Sequence, residues 1–308
     1  MMKKNHFRLL AVLAAFSFSA GIAFSAELVD DIWELGGGAK SLAMGNTYAS
    51  IGLDSADAGL NPAGIAMLKK REIGMLYSGI YDGLGTYTDL YLSAFVGLGT
   101  LAVNYSSIDI ANGYSYPEGE GVDAYGLVEY NHDAKKITDN KTFINMSYAM
   151  KMGSLLLGVN VKTIQYKLLE NTADGFGADL GIMYCTIAKD AGVTAGIMLR
   201  DVTGTKVTWN TGTSDESAMS MRAGVGFAMK VAKIGVDVDM KYGSDLNFGL
   251  ELTPVETVAL RAGMKSMAGS QDITAGIGLN LKAAVLDMAY TTSADMGSMI
   301  KTGIKVVF

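Results

Sequence analysis

Cysteine is almost missing from this 308-residue chain: Cys185 stands alone, which excludes an intramolecular disulfide and any cysteine-based metal cluster. Histidine is nearly as scarce. His6 falls in the opening residues, so only His132 remains; a histidine-rich metal site is excluded, and a Ser/His/Asp triad would hang on one residue in a polar link. Glycine pairs such as Gly276-Ile277-Gly278 lack the strand–turn–helix context of a phosphate loop, so no cofactor is implied. Basic runs are also absent, and a chain with a formal net charge of -6 is a poor partner for nucleic acid. After the opening residues no apolar run reaches the roughly 18 residues of a membrane-spanning helix. These absences leave no expected catalytic residue, and the chain is read as something other than an enzyme.

What is present begins with MMKKNHFRLLAVLAAFSFSAGIAFSAE, where Lys3, Lys4 and Arg8 precede an apolar core and then small residues. That is the pattern of a secretory signal peptide over residues 1–25, with cleavage after Ser25 or after Ala26. Export is the expectation.

From Arg71 onward the chain alternates with a two-residue period. In IGVDVDMKY, Ile234, Val236, Val238 and Met240 share one face and Gly235, Asp237, Asp239 and Lys241 the other. LNFGLEL, VALRAGMK and ITAGIGLNLK repeat the pattern. About fourteen such segments follow one another, most of about ten residues, the length a tilted strand needs to cross a bilayer. The links GLGT, MGS, VAK, TPVE and LKAA fall on one side by parity, and the long polar links 112–140 and 203–217 on the other. Short periplasmic turns with long outer loops are the habit of outer-membrane barrels. The predicted fold is therefore all-β: a transmembrane antiparallel barrel of about fourteen strands over residues 71–308, in the outer membrane of a diderm bacterium. The last strand, SMIKTGIKVVF, puts Ile300, Ile304, Val306 and Phe308 on one face. It resembles the terminal-aromatic signal that barrel-assembly machinery recognises, so Phe308 is the candidate assembly residue.

The segment before the first strand is different. Residues 42–68, LAMGNTYASIGLDSADAGLNPAGIAML, are small and almost uncharged, with no strand or helix period. Inward-facing strand positions are glycine-rich, among them Gly224, Gly226, Gly276 and Gly278, and glycine lets another backbone come close. A barrel of about fourteen strands also has a lumen too wide for its own side chains to fill. Residues 26–70 are therefore expected to form a hatch in the lumen. Within it Asn61-Pro62-Ala63-Gly64 suits a helix start, with Asn as N-cap and Pro in the first position.

GGGAKSLAMGNTYASIGLDSADAGLNPAGIA, together with GVNVKTIQY, DLGIMY, LNFGLEL, VALRAGMKS and ITAGIGLNL in order, resembles the FadL-like outer-membrane barrels, specifically the PorV/PorQ-type subgroup. The resemblance points to Met44, Gly45, Asn61, Pro62, Ala63 and Gly64 as the hatch motif. It implies either passage of a hydrophobic, fatty-acid-like molecule or a carrier role for secreted proteins in an export system. Outer-membrane lipid is a partner in both cases.

Two sets of inward side chains bear on function. Tyr91, Phe95, Phe143, Met183 and Met198 are apolar and read either as hatch contacts or as the lining of a hydrophobic pocket. Asp237, Asp239, Lys241, Glu251 and Arg261 are charged and mixed in sign, unlike the single-sign ring of an ion-selective pore. They read as lumen salt bridges, with Glu251 and Arg261 as one pair and Asp237, Asp239 and Lys241 as a ladder. No metal site is expected among them.

Overall fold

The computed structural model describes residues 35, 37–51, 54–115, 135–187, 191–241, 243–267, 270–294 and 296–308. The expected signal peptide, residues 1–25, lies outside them, as do Tyr116, Tyr125, Tyr130 and His132 of the first long link. The strands are β1 (Glu72–Ile80), β2 (Gly85–Val96), β3 (Gly99–Ser115), β4 (Lys135–Met152), β5 (Leu155–Leu168) and β6 (Asn171–Ile187). They continue with β7 (Ala191–Arg200), β8 (Thr205–Trp209), β9 (Ser214–Ser217), β10 (Ser220–Met229) and β11 (Ala232–Asp239). The chain ends with β12 (Asp245–Val255), β13 (Val258–Met267), β14 (Ser270–Asn280), β15 (Ala284–Ser293) and β16 (Gly297–Val307).

Fourteen of these form one closed antiparallel ring. β1 pairs with β16 from Glu72↔Val307 to Gly79↔Ile300, β5 pairs with β6, and β7 pairs directly with β10. Closure removes every edge from the ring, which a sheet needs in lipid, where no water can satisfy free N–H and C=O groups. Among the described residues no helix is long and apolar enough to cross a membrane.

Link 203–217, read from sequence as a plain loop, instead holds the hairpin β8–β9. The reason is an open edge. β7 pairs with β6 only from Leu180 to Ile187, leaving Ala173–Phe176 free, and β8 takes that place with Trp209 opposite Ala173. β3 and β4 also run further than their alternation suggests, pairing past an irregularity between Ile110 and Gly113 out to Ser115↔Lys135.

The polarity of the wall is inverted relative to a water-soluble barrel. Ile73, Leu90, Ile144, Phe248, Ile277 and Ile304 point outward and are exposed, while Asp89, Lys162, Asp179, Asp237 and Lys301 point inward and are buried. Two-residue alternation produces both sets from the same strands.

What buries the inward side chains is the N-terminal segment. It contains a short helix α1 (Ala39–Ala43) and 3-10 turns at Ser55–Asp57 and Pro62–Met67. The Asn61 side chain accepts the Ala63 N–H at 3.1 Å and Pro62 opens the turn, so the cap expected for a helix serves a tighter 3-10 turn. Gly45 (φ 63°) and Asn46 (φ 59°) reverse the chain after α1.

Candidate functional site in the lumen

The segment is held by inward side chains drawn from around the ring. On β11, Asp237 Oδ2 accepts the Tyr48 and Ala49 N–H groups, each at 2.7 Å, and Oδ1 accepts the Ser50 hydroxyl at 2.8 Å. On β14, the Thr274 hydroxyl accepts from Gly45 N and donates to Ala43 O. Across the ring, Asn104 donates to Ser55 O and Asn160 to Gly59 O, each at 3.3 Å. β16 supplies two lysines: Lys301 Nζ reaches Leu35 O and Gly37 O at 3.0 Å, and Lys305 Nζ reaches Asp54 at 2.9 Å. A segment with no strand or helix ladder of its own must satisfy its backbone groups this way when buried.

Glycines complete the seat, two of the four singled out from sequence among them. A Cβ at Gly263 would collide with Gly45 N and Met44 C, and one at Gly249 with Met44 O. Gly276 faces Ala43, and Gly226 faces Ser50 O. Gly224 and Gly278, by contrast, make room for barrel side chains, Asp237 for the first and Asp287 with Arg261 for the second. Pro62 and Ala63 of the hatch motif lie on Gly158 of β5, and Asn61 lies on Gly181 of β6. Met44, Gly45, Asn61, Pro62, Ala63 and Gly64 are all buried.

The charged set divides differently from its sequence reading. Arg261 Nε donates to Glu251 at 2.7 Å, and Lys233 and Lys40 add further cations to the same carboxylate. Arg261 also reaches Asp287 at 2.5 Å. Asp237 and Asp239 take partners beyond their own strand. Asp237 turns to the segment, Asp239 pairs with Arg222, and it is the Lys241 backbone N–H that donates to Asp239 Oδ1. The carboxylates face inward toward groups on other elements, which compete better than a neighbour two residues along the same strand. Among the described residues no cluster of three metal-ligating His, Cys, Asp or Glu side chains occurs.

Two segment carboxylates sit close together in this network. Burial alone would raise Asp54, but the charges of Lys305 and Lys40 overcome it and hold Asp54 below its ordinary value. Asp57, fully buried, is pushed up to about 7 by desolvation and then by the charge of Asp54. It accepts from Gly38 N and the Ser41 hydroxyl through Oδ1 at 2.7 and 2.6 Å.

The apolar set is redistributed. Tyr91, Phe143 and Met198 belong to one buried cluster that also contains Tyr87, Ile108, Tyr166 and Val207 from the wall, with Trp209 packed against it. Phe143 meets Tyr166 edge-on at 6.0 Å between ring centres, and Tyr166 lies 6.4 Å from Trp209. Met183 belongs instead to a small cluster with Ala63, Leu156 and Cys185. Phe95 is no pocket residue: it is 59% exposed, near the short turn that ends β2, beyond the reach of the segment. Tyr87 was findable, since it shares the inward face of β2 with Tyr91. Trp209 was not, because its strand exists only through the open edge of β6.

Leu42, Tyr48, Ala56 and Leu60 of the segment are part of this same apolar cluster. Wall aromatics and segment thus form one continuous surface.

A closed fourteen-stranded antiparallel barrel with an apolar exterior, its inward side chains bonded to an N-terminal segment, defines the fold class, one it shares with solved transporters and channels. In particular, the chain is similar to the Ralstonia pickettii toluene transporter TbuX (TM-score 0.62, 14% identity, 90% of this chain and 100% of that one). It is also similar to the Pseudomonas putida toluene transporter TodX (TM-score 0.58, 12% identity, 88% and 97%) and to the CymD monoaromatic hydrocarbon channel (TM-score 0.56, 12% identity, 89% and 98%). No protein-family model and no curated protein sequence matches the chain.

Proposed function

We propose that the protein is an outer-membrane channel that binds a hydrophobic small molecule and passes it through a lumen gated by residues 37–68. The observation that carries this reading is the continuous cluster of Tyr87, Tyr91, Phe143 and Tyr166 with Leu42, Tyr48 and Leu60. A ligand that enters among the wall aromatics touches the segment at once, so its binding free energy can be spent on moving the segment. Aromatic faces and edges suit a ring-bearing hydrocarbon at least as well as the fatty-acid-like chain expected from sequence. The likeness to toluene and monoaromatic hydrocarbon channels supports the same substrate class. No bond is made or broken; selection is by apolar contact.

In this reading the rim carrying the short turns faces the periplasm and the hairpin β8–β9 faces outward. The test is uptake of radiolabelled toluene and of a long-chain fatty acid by cells carrying the protein. Faster uptake of either than in cells carrying an empty vector is the expected result. Unchanged uptake of both, with folded protein in the membrane, overturns the reading.

A further inference from the structure

The short-turn rim of the barrel carries exposed cations at Lys69, Lys70, Arg71, Lys151, Lys230 and Lys282. Four of the six gather where the ring closes. Arg71 and Phe308 exchange backbone hydrogen bonds at 3.0 Å, and Val307 N donates to Ala283 O at 2.8 Å, which brings Lys282 to the other side of the same strand end. Strands lie about 4.8 Å apart, so Arg71, Phe308 and the Lys282–Ala283 turn span about 10 Å of rim. Parity fixes the direction of two of them: Arg71 continues the outward series of Ile73 and Met75, and Phe308 continues Ile304 and Val306, while Lys282 is an exposed residue of the turn that leads into β15. Lys151 and Lys230 continue the inward series of their strands instead.

Directly along the wall from this cluster lie Ile73, Leu281, Leu286 and Val306, all apolar and exposed, with Phe308 itself 61% exposed between the two flanking cations. Even counting a terminal carboxylate at Phe308, the cluster is strongly positive, and Glu256 is the exposed acid of a different turn.

We infer that the β15–β16–β1 closure binds an anionic phospholipid, its phosphate held by Arg71 and Lys282 and its acyl chains laid along Ile73, Val306 and Leu286. The inference rests on the proposed placement of these strands in a bilayer. Charge and apolarity meet there at the boundary where a lipid changes from headgroup to chain. Basic side chains beside a membrane surface each contribute about fivefold to the affinity for anionic lipid. Arg71 adds a planar fork matched to phosphate oxygens. A lipid seated here would cover the junction of the first and last strands.

Native mass spectrometry of the purified full-length barrel, given equal amounts of phosphatidylglycerol and phosphatidylethanolamine, tests this. Wild type should retain phosphatidylglycerol preferentially. Arg71→Gln/Lys282→Gln should lose about tenfold or more of that preference, Arg71→Lys/Lys282→Arg should keep most of it, and Lys151→Gln/Lys230→Gln should keep all of it. Equal loss in both Gln pairs would mean general rim electrostatics and would overturn the site; so would no preference in wild type. A second measurement does not depend on a variant folding. A phosphatidylglycerol carrying a photoreactive acyl chain should label wild-type peptides containing Ile73, Leu281 or Val306, and labelling confined elsewhere overturns the inference. Hydrocarbon uptake is read separately, so failure here leaves the channel reading standing.

Discussion

Lys305 Nζ, on the strand that closes the barrel, lies 2.9 Å from Asp54 Oδ2 in the lumen segment. The same ammonium approaches Glu72 on β1 at 3.4 Å, and the Ser55 hydroxyl donates to Glu72 at 2.6 Å. One lysine therefore joins last strand, first strand and segment.

Removing that lysine leaves two buried carboxylates without their cation. Breaking a buried pair by deleting one partner costs about 3–5 kcal/mol. Lys305→Met is expected to release the segment from the wall while the ring, held by its own backbone ladder, stays assembled. Limited proteolysis should then cut between residues 37 and 68 in a protein that still shows heat-modifiable migration. Adding Asp54→Asn and Glu72→Gln should restore protection, since no charge is then left unpaired. Equal protease resistance in Lys305→Met and wild type would rule the latch out.

Asp57 makes docking of the segment depend on pH. Its docked value of about 7 lies above the value of a free carboxylate, so the protonated form is favoured when docked. The sign follows from linkage: docking is at full strength below about pH 4 and weakens as pH rises through about 7. Asp54, held low by Lys305 and Lys40, acts in the opposite sense and loses strength only in acid. Protease sensitivity of the segment should therefore rise between pH 5 and pH 8, and Asp57→Asn should flatten that rise. A wild-type profile that is flat over this window would count against the assignment.

The glycine seats give a steric prediction. At Gly263 any side chain meets the Gly45 backbone, and at Gly276 it meets Ala43, whereas nothing lies within 4 Å of a Cβ at Gly79, on the outward face of β1. Overpacking costs about 1–3 kcal/mol, enough to displace a small segment but not to open a closed ring. Gly263→Leu and Gly276→Leu should increase uptake of a large hydrophilic antibiotic at unchanged membrane level, and Gly79→Leu should not. If none of the three leaks, the segment does not close the lumen.

Much of this was legible before any coordinates. Alternation at Ile234–Lys241 or Leu246–Leu252 assigns each side chain to a face because the strand period is two, and the parity of short and long links orders the strands around the ring. The fourteen-stranded ring needed nothing more. What alternation cannot supply is which inward group meets which. Asp237 and Lys241 share a face, yet Asp237 bonds the Tyr48 and Ala49 N–H groups, a contact 188 residues or more distant in sequence. Phe95 has inward parity but lies too near the rim for the segment to cover it. The hairpin β8–β9 was invisible for a related reason: its partner edge on β6 exists only because β7 begins pairing at Leu180. Period reports the face, not the depth or the partner.

The terminal strand supports a prediction about assembly. Phe308 faces outward, and its backbone pairs with Arg71. Phe308→Lys should slow insertion and leave unassembled protein in the periplasm, measured as loss of the heat-modifiable form. Phe308→Tyr, which keeps the ring, should assemble normally; normal assembly of Phe308→Lys would remove the terminal aromatic from the recognition step.

The most direct test of function concerns Tyr166. Its ring touches Phe143 on one side and lies near Trp209 on the other, and Lys141 Nζ stands 5.5 Å from its centre. Tyr166 is buried on the inward face of β5, between the hairpin and the wall aromatics that continue into the segment. If hydrophobic molecules enter along this surface, Tyr166→Ala removes an apolar step while touching neither the latch at Lys305 nor the glycine seats. Cavity formation from an aromatic costs about 3–5 kcal/mol in a tight core, a loss a closed barrel can absorb. Toluene uptake should fall severalfold, with membrane level and antibiotic exclusion unchanged, and Tyr166→Phe should retain uptake. A fall in both variants would assign the role to the hydroxyl rather than the ring. No fall in either would move the path of the hydrocarbon away from this cluster.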